Sequence, residues 1–198
     1  MKLDSIRLDE RVICEIIEPG SKVLDLGCGR GELLALLAEG KKARPQGIEL
    51  DDEAIYKCVE KGLSVFHSDI DTGLVEYPEK SFDYVILNQT MQEVKKIEYV
   101  LQEALRVGKR AIVGFPNFAF IKARLMMFFG GRTPVTASLP YNWYDTPNLW
   151  FLSIKDFKNY CRRKQIKIIA SHYLGIKSVV RFWPNLLAYN AIFVLSAK

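Results

Sequence analysis

The residues with the most chemistry in them lie in one short stretch. Lys22-Val23-Leu24-Asp25-Leu26 reads as a buried strand carrying an acid. Gly27, Cys28, Gly29, Arg30 and Gly31 follow, and a leucine-rich helix opens at Glu32-Leu33-Leu34. A glycine-rich turn between a strand and a helix suits a nucleotide-like ligand at the carboxyl end of a first parallel strand. Glycines take positive φ and let backbone N–H groups come close to a ligand, and the helix directs its N-terminus at the same place. Polar side chains recur at the ends of later strands. Glu49, followed by Leu50, ends the second. A carboxylate there can accept both ribose hydroxyls of an adenosine, and such charged hydrogen bonds contribute roughly 1.5–3 kcal/mol each. Asp69 and Ile70 follow the third strand, and Asn88 and Gln89 follow the fourth with amides that both donate and accept. Each position has a plainer alternative: Glu49 as a solvated strand-end acid, Asp69 and Asp71 as caps or turn residues, Asn88 as a turn former with Gln89 in solvent.

The glycine spacing narrows the ligand. A dinucleotide loop usually reads G-x-G-x-x-G, its last glycine packing helix on strand. Here the pattern is G-x-G-x-G, with Asp25 two residues ahead of the first glycine. A carboxylate repels a pyrophosphate and attracts a sulfonium amino acid. The loop resembles motif I of the class I S-adenosylmethionine (SAM) methyltransferases. That resemblance implies that Asp25, Gly27, Cys28, Gly29 and Gly31 wrap the methionine and ribose parts of the cofactor, joined by Glu49 and Leu50. It implies that Asp69 accepts from the adenine amino group while Ile70 gives a backbone donor, and that Asn88 and Gln89 lie beside the methionine moiety and the acceptor. The cofactor expected is SAM or S-adenosylhomocysteine. Positioning can supply much of a methyl transfer, with a base needed only when the nucleophile must lose a proton. No strong base candidate stands out: His67 and His172 read as structural, and no catalytic residue is assigned.

The elements that must position these residues follow from periodicity. Residues 4–18, with Ile6, Ile13, Ile16 and Ile17, read as an amphipathic helix closed by Pro19-Gly20. Strands are expected at 22–26, 46–50, 63–67, 82–87 and 109–115, and helices at 31–39 (ending at Gly40), 52–61 and 95–107. A helix rich in aromatic residues and methionine is expected at 118–129 and an irregular stretch with three prolines at 130–148. Loops that long inside a compact domain are usually functional or disordered, and its aromatic content speaks against disorder. A helix at 153–164 and an antiparallel pair at 166–174 and 191–196 close the chain. Alternating strands and helices predict a doubly wound, mostly parallel seven-stranded sheet of the Rossmann-like type with an antiparallel closing strand. Residues 1–198 read as a single domain, with 118–150 inserted after the fifth strand as an aromatic-rich helix and loop, or lid. No internal repeat or low-complexity segment is visible.

Composition excludes other classes. A chain of 198 residues can bury roughly 70% of its unfolded surface without disulfides. Cys14, Cys28, Cys58 and Cys161 are scattered and form no C-x-x-C pair, so neither a metal site nor a redox motif is expected, and the pattern suits a reducing cytoplasm. Cys28 reads as a small residue fitted between glycines; the alternative is a thiol whose pKa the nearby helix N-terminus lowers. The first ten residues carry acids and no long apolar core, so no signal peptide is expected. The apolar run 118–129 is interrupted by Lys122 and Arg124 and is shorter than the ~20 residues of a membrane span. The net charge of +5 comes from short basic clusters with acids nearby, which suit solvated helix faces rather than a nucleic-acid groove.

Beyond the loop, Gly47-Ile48-Glu49, Ser81–Leu87 with Gln89-Thr90, Arg106-Val107-Gly108, Phe115-Pro116-Asn117-Phe118 and Leu139–Asn148 resemble the methionine-biosynthesis family MetW over roughly residues 5–174. The tail after Leu174, with Arg181-Phe182-Trp183-Pro184, is less typical of it. The resemblance implies a methyltransferase fold, a role in bacterial methionine synthesis and work beside homoserine O-acyltransferase, without establishing a methyl acceptor. Asn117, Tyr141, Trp143, Tyr144 and Asp145 are the residues expected to meet a substrate or a partner, because the aromatic segment is either a docking face or acceptor lid, or simply packs over the sheet edge. The expected function is that of a SAM-binding accessory partner of the acyltransferase. The alternatives are an active methyltransferase for a small molecule and, against the glycine spacing and Asp25, a nicotinamide-dependent dehydrogenase.

Overall fold

The computed structural model describes residues 6–176 and 178–197. Seven strands form one sheet: β1 (Lys22–Leu26), β2 (Arg44–Glu49), β3 (Ser64–His67), β4 (Phe82–Asn88), β5 (Gly108–Pro116), β6 (Lys167–Leu174) and β7 (Asn190–Ser196). Their order is β3-β2-β1-β4-β5-β7-β6. All neighbours are parallel except β7, which runs antiparallel to both β5 and β6. The order reverses between β1 and β4, so the carboxyl ends of these two strands diverge into a crevice where an open α/β sheet takes its ligand.

The sheet is covered on both faces, and the strand sequences alternate accordingly. Tyr84 and Ile86 of β4, Ile112 of β5 and Ile192 and Val194 of β7 join Val12, Ile13 and Leu37 in one core. Val85, Leu87, Val113, Phe193 and Leu195, which alternate with them, join Leu101, Ala104, Phe157 and Cys161 in the other. The helices that supply these layers are α1 (Leu8–Ile16), α2 (Glu32–Lys41), α3 (Asp52–Glu60), α4 (Ile97–Val107) and α6 (Ile154–Arg163). Between β5 and α6 stand α5 (Ile121–Gly130) and then residues 131–153, which hold no helix or strand beyond a single bridge from Thr136 to Leu139. The four-residue helix α7 (Pro184–Leu187) completes the chain order before β7.

Several boundaries move from the sequence reading for local reasons. The first helix is shorter than 4–18: Glu10 holds its start by accepting from Arg7 N–H at 3.1 Å and pairing with the Arg7 guanidinium, Ile6 lies outside it, and residues 1–5 lie outside the described residues. The second helix runs through Gly40 and stops when Lys42 turns left-handed at φ 49 and donates its N–H to Leu37. β2 begins at Arg44 and so contains Pro45, which lies before β3 joins at Gln46, where a strand with one free edge tolerates a missing donor. The helix expected from 118 begins only at Ile121, because Asn117 Oδ1 accepts from Ala119 N–H and holds 118–120 in a turn. The turn Ile70–Thr72, α7 and the left-handed Trp183 ahead of it are not evident from periodicity, which cannot register elements of three or four residues.

Candidate functional site

The cofactor-type loop is fixed from below. Gly27 and Cys28 both donate their N–H groups to Ile48 O of β2, at 2.8 and 3.2 Å. Gly29 N–H donates to Glu49 Oε2 at 2.7 Å, while Glu49 Oε1 accepts from Leu50 and Asp51 N–H at 2.8 and 3.1 Å. One carboxylate therefore ties the loop to the end of β2. The backbone N–H groups that glycine makes approachable are consumed inside the protein, which corrects the expectation that they face a ligand. What the glycines contribute is conformation and space. Gly27, at φ +74, leaves room for Thr90, whose side chain would stand 2.7 Å from a Cβ. Gly29, at φ +55, has nothing within 4 Å of the corresponding position.

A cavity of about 600 Å³ opens over this loop at the β1/β4 crevice. Of the residues expected at a cofactor, Asp25, Gly27, Cys28, Gly29, Glu49, Leu50, Asp69, Ile70, Asn88 and Gln89 line it. Gly31 does not. It caps α2 at φ +77, and an added Cβ would meet Leu63 Cδ1 at 2.6 Å and Cys58 Sγ at 2.8 Å, so its role is to let α2 pack near β3 and α3. Asp69 lines the cavity while capping the following turn through Asp71 N–H. Asn88 is buried and donates to Asp9 Oδ2 at 2.9 Å, and its own Oδ1 has no hydrogen-bond partner among the described residues. Gln89 takes a left-handed φ of 60, which turns the chain out of β4.

The wall includes residues that sequence reasoning missed. Arg7 and Glu10 of the α1 start line the cavity, as do Thr90, Glu93, Val94 and Lys95 of the loop after β4. Among the described residues, seven lining carboxylates (Glu10, Asp25, Glu32, Glu49, Asp69, Asp71, Glu93) face two lining cations, Arg7 and Lys95. In a chain of net charge +5 that concentration of acid selects a ligand with a positive centre and opposes a pyrophosphate. Asp25 is the deepest of the acids, and no hydrogen bond to its carboxylate exists among the described residues. Burial first, then the neighbouring Glu49, pushes its pKa up to about 7. Burial raises Glu10 and Glu93 as well. Burial also raises the Cys28 thiol, with Asp25 adding to it, which favours the small residue fitted between glycines over a helix-activated thiolate. Its sulfur fills the space left by Gly47, where a Cβ would stand 2.4 Å away.

The segment 118–150 contributes none of the cavity lining. Asn117, expected to touch substrate or partner, is instead fully buried. Its amide donates to Ala188 O and Asn185 O, and its carbonyl accepts from Ala119 and Ile154 N–H, which joins β5, α6 and α7. Tyr141, Trp143, Tyr144 and Asp145 are all exposed, with Trp143 and Tyr144 packed edge to face. The segment does touch the back of the cavity loop: Leu149 and Trp150 N–H donate to Gln92 O, and Trp150 Nε1 donates to Val94 O at 2.7 Å. His67 is exposed beside Asp52 and does not line the cavity. Among the described residues no group of acids, cysteines and histidines could hold a metal ion, and no helix is long and apolar enough to cross a membrane.

Comparison with known proteins agrees with this geometry. The family described as methionine biosynthesis protein MetW matches residues 7–195. The bifunctional methionine biosynthesis protein MetXA/MetW of Rhodopirellula baltica is 38% identical over 190 residues, which is 91% of this chain and 30% of that protein. The chain thus spans about a third of the length of the curated relatives it matches. Among solved structures, a SAM-dependent methyltransferase of Thermotoga maritima superposes with a TM-score of 0.71 at 17% identity, over 96% of this chain and 88% of the other. One from Archaeoglobus fulgidus gives 0.70 at 16%, over 96% and 91%. At such identities the likeness is one of fold, and the fold is that of the class I SAM methyltransferases.

Proposed function

This chain belongs to the MetW family, and from that premise we propose that it is a SAM-binding partner of homoserine O-acyltransferase in the cytoplasm, serving methionine biosynthesis. The observation that carries the ligand half is the acid-lined cavity closed at its base by Asp25. The residues present fit SAM. Its sulfonium and ammonium groups bring positive charge to a carboxylate that is buried with no hydrogen-bond donor among the described residues. Glu49 keeps lone pairs for ribose hydroxyls beyond its three backbone donors, and Asp69 stands at the rim for an amino-bearing base. A cavity of about 600 Å³ lies within the ~300–1,000 Å³ usual for a small-molecule site. The partner half is supported by the relative that carries MetXA and MetW in one protein.

SAM is made from methionine, so a cavity that binds it can report the output of the pathway to the acyltransferase. The loop 89–95 supports that reading. One side of it lines the cavity through Gln89, Thr90, Glu93, Val94 and Lys95, and the other holds Leu149 and Trp150. Titrating SAM into the purified pair while following acylation tests it. A rate that changes with SAM is expected, and a flat response up to millimolar SAM ends the sensor reading.

A second reading, an active methyltransferase for a small molecule, is favoured by one observation. Glu93 lines the cavity on the loop after β4, and its raised pKa suits a carboxylate that accepts a proton from a nucleophile. Bound SAM would supply the methyl group and the leaving group, and the protein would position the acceptor. Transfer of labelled methyl groups to an extract fraction, abolished by Glu49→Ala and reduced by Glu93→Gln, would establish this reading. Absence of transfer with SAM bound would reject it.

A further inference from the structure

α5 is an anomaly in a molecule whose other long helices bury a stripe. It has ten residues, and Ala123 alone is buried. Leu125, Phe128 and Phe129 stand at i, i+3 and i+4, the spacing by which a helix packs on a neighbour, yet they are 46%, 82% and 78% exposed. Met127 on the same helix is also exposed, and it forms a groove with Phe118, Pro134 and Phe151, the last stacked at a tilt on Phe118 with ring centroids 4.7 Å apart. The helix is anchored to the body by Arg124, which donates to Ala119 O and Asn185 O.

Area and charge indicate what covers this surface. With ~200 Å² for a whole aromatic side chain, the exposed fractions of Phe128, Phe129, Phe151, Met127 and Leu125 amount to roughly 600 Å² of apolar surface. A typical monomer's largest apolar patch spans ~300–600 Å², and each partner in a standard complex contributes ~800 Å². The patch therefore supplies most of one side of a stable interface. From Phe118 to Tyr144 the chain carries Lys122, Arg124 and Arg132 and no aspartate or glutamate, the first acid being Asp145, so α5 and the turn after it pair their apolar stripe with basic side chains. A second copy of the same surface would set like charges against each other, whereas a different protein with an acidic rim complements it. The surface is also continuous with the segment through Trp150 that rests on the cavity loop.

We infer that α5 and the adjoining Phe118–Phe151 groove are the surface on which homoserine O-acyltransferase docks, through an apolar patch with an acidic rim. This rests on the proposed partnership, and it adds the place. The face lies outside the cavity, so docking and ligand binding use different residues.

The test uses the full chain and its host's acyltransferase. Binding is measured between the purified proteins for the wild type, for the triple variant Leu125→Ser/Phe128→Ser/Phe129→Ser, and for Lys122→Glu/Arg132→Glu. S-adenosylhomocysteine affinity and circular dichroism check each fold. The triple variant is expected to bind the acyltransferase at least tenfold more weakly with ligand affinity unchanged. The charge variant is expected to associate severalfold more slowly at low salt, with the difference shrinking at high salt. Acyltransferase binding unchanged in both variants overturns the assignment of this face while leaving the partnership intact. So does a wild-type homodimer or vesicle binding that only the triple variant abolishes while acyltransferase binding persists. A wild type that does not bind the acyltransferase at all overturns the partnership itself, and the docking face with it.

Discussion

Replacing Asp25 by asparagine should make the ligand-free protein more stable and the ligand site worse. Asp25 is buried beside Glu49 with its pKa at about 7 against 3.8 for an unperturbed aspartate. A folded-state pKa above the unfolded value means the folded protein binds the proton more tightly, so the penalty for ionising Asp25 is absent below pH 3.8. It grows as pH rises between 3.8 and about 7, and saturates above. At ~1.4 kcal/mol per pKa unit the full penalty is about 4 kcal/mol. An isosteric amide has no charge to desolvate. Asp25→Asn should therefore be stabilised relative to wild type by up to about 4 kcal/mol at pH 8, by about half of that near pH 5, and by nothing at pH 3.5. For a chain of this size that is a Tm higher by on the order of 10 °C at pH 8. The same substitution removes a charged partner from a cationic ligand, which costs roughly 1.5–3 kcal/mol, about a 10- to 150-fold loss of affinity. Differential scanning calorimetry of both proteins across pH 3.5–8, with calorimetric titration of SAM, measures both effects. A pH-independent difference in Tm, or unchanged SAM affinity, would refute the reasoning that Asp25 is a buried charge held for a cation.

Four other substitutions probe separate parts of the account. Glu49→Gln keeps the size of the side chain but weakens its grip on Gly29, Leu50 and Asp51; S-adenosylhomocysteine affinity should fall by at least tenfold, read by titration. Gly27→Ala forces a side chain into a left-handed backbone and against Thr90, so it should lower stability by about 1–2 kcal/mol and weaken ligand binding, by denaturant titration and calorimetry. Asn117→Ala removes four hydrogen bonds to backbone groups, two of them buried, and should lower stability by about 2–3 kcal/mol with the ligand affinity of the folded protein unchanged, since Asn117 does not line the cavity. Arg106→Ala leaves Glu103, which bonds Leu74 N–H and whose pKa Arg106 lowers, without its cation; a loss of about 2–3 kcal/mol is expected at neutral pH, shrinking as acid protonates Glu103.

The parts of this protein that are legible in its sequence are those set by neighbours in the chain. The order of strands and helices follows from local periodicity and from glycines whose backbone conformations are their own. Glu49 is legible because an acid at the end of the strand after the glycine loop lies beside that loop when the two strands pair in parallel. Tertiary packing hides the rest. Arg7, Asp9 and Glu10 look like the polar side of a surface helix, yet Asp9 bonds Asn88 across the sheet end and Arg7 and Glu10 form a cavity wall. Asn117 reads as an exposed amide in a loop motif, and only the fold shows that it bonds the turn after β5, the start of α6 and the end of α7. Periodicity equally misleads at α5, because the spacing that usually buries Leu125, Phe128 and Phe129 is present while the neighbour is absent from the monomer.

Co-expressing this protein with its host's homoserine O-acyltransferase, and measuring the rate of homoserine acylation with and without it, tests the proposed partnership. The account expects a higher rate with the protein present, together with co-purification of the two. Equal rates and no complex would contradict it and return the cavity to the chemistry of a free-standing methyltransferase.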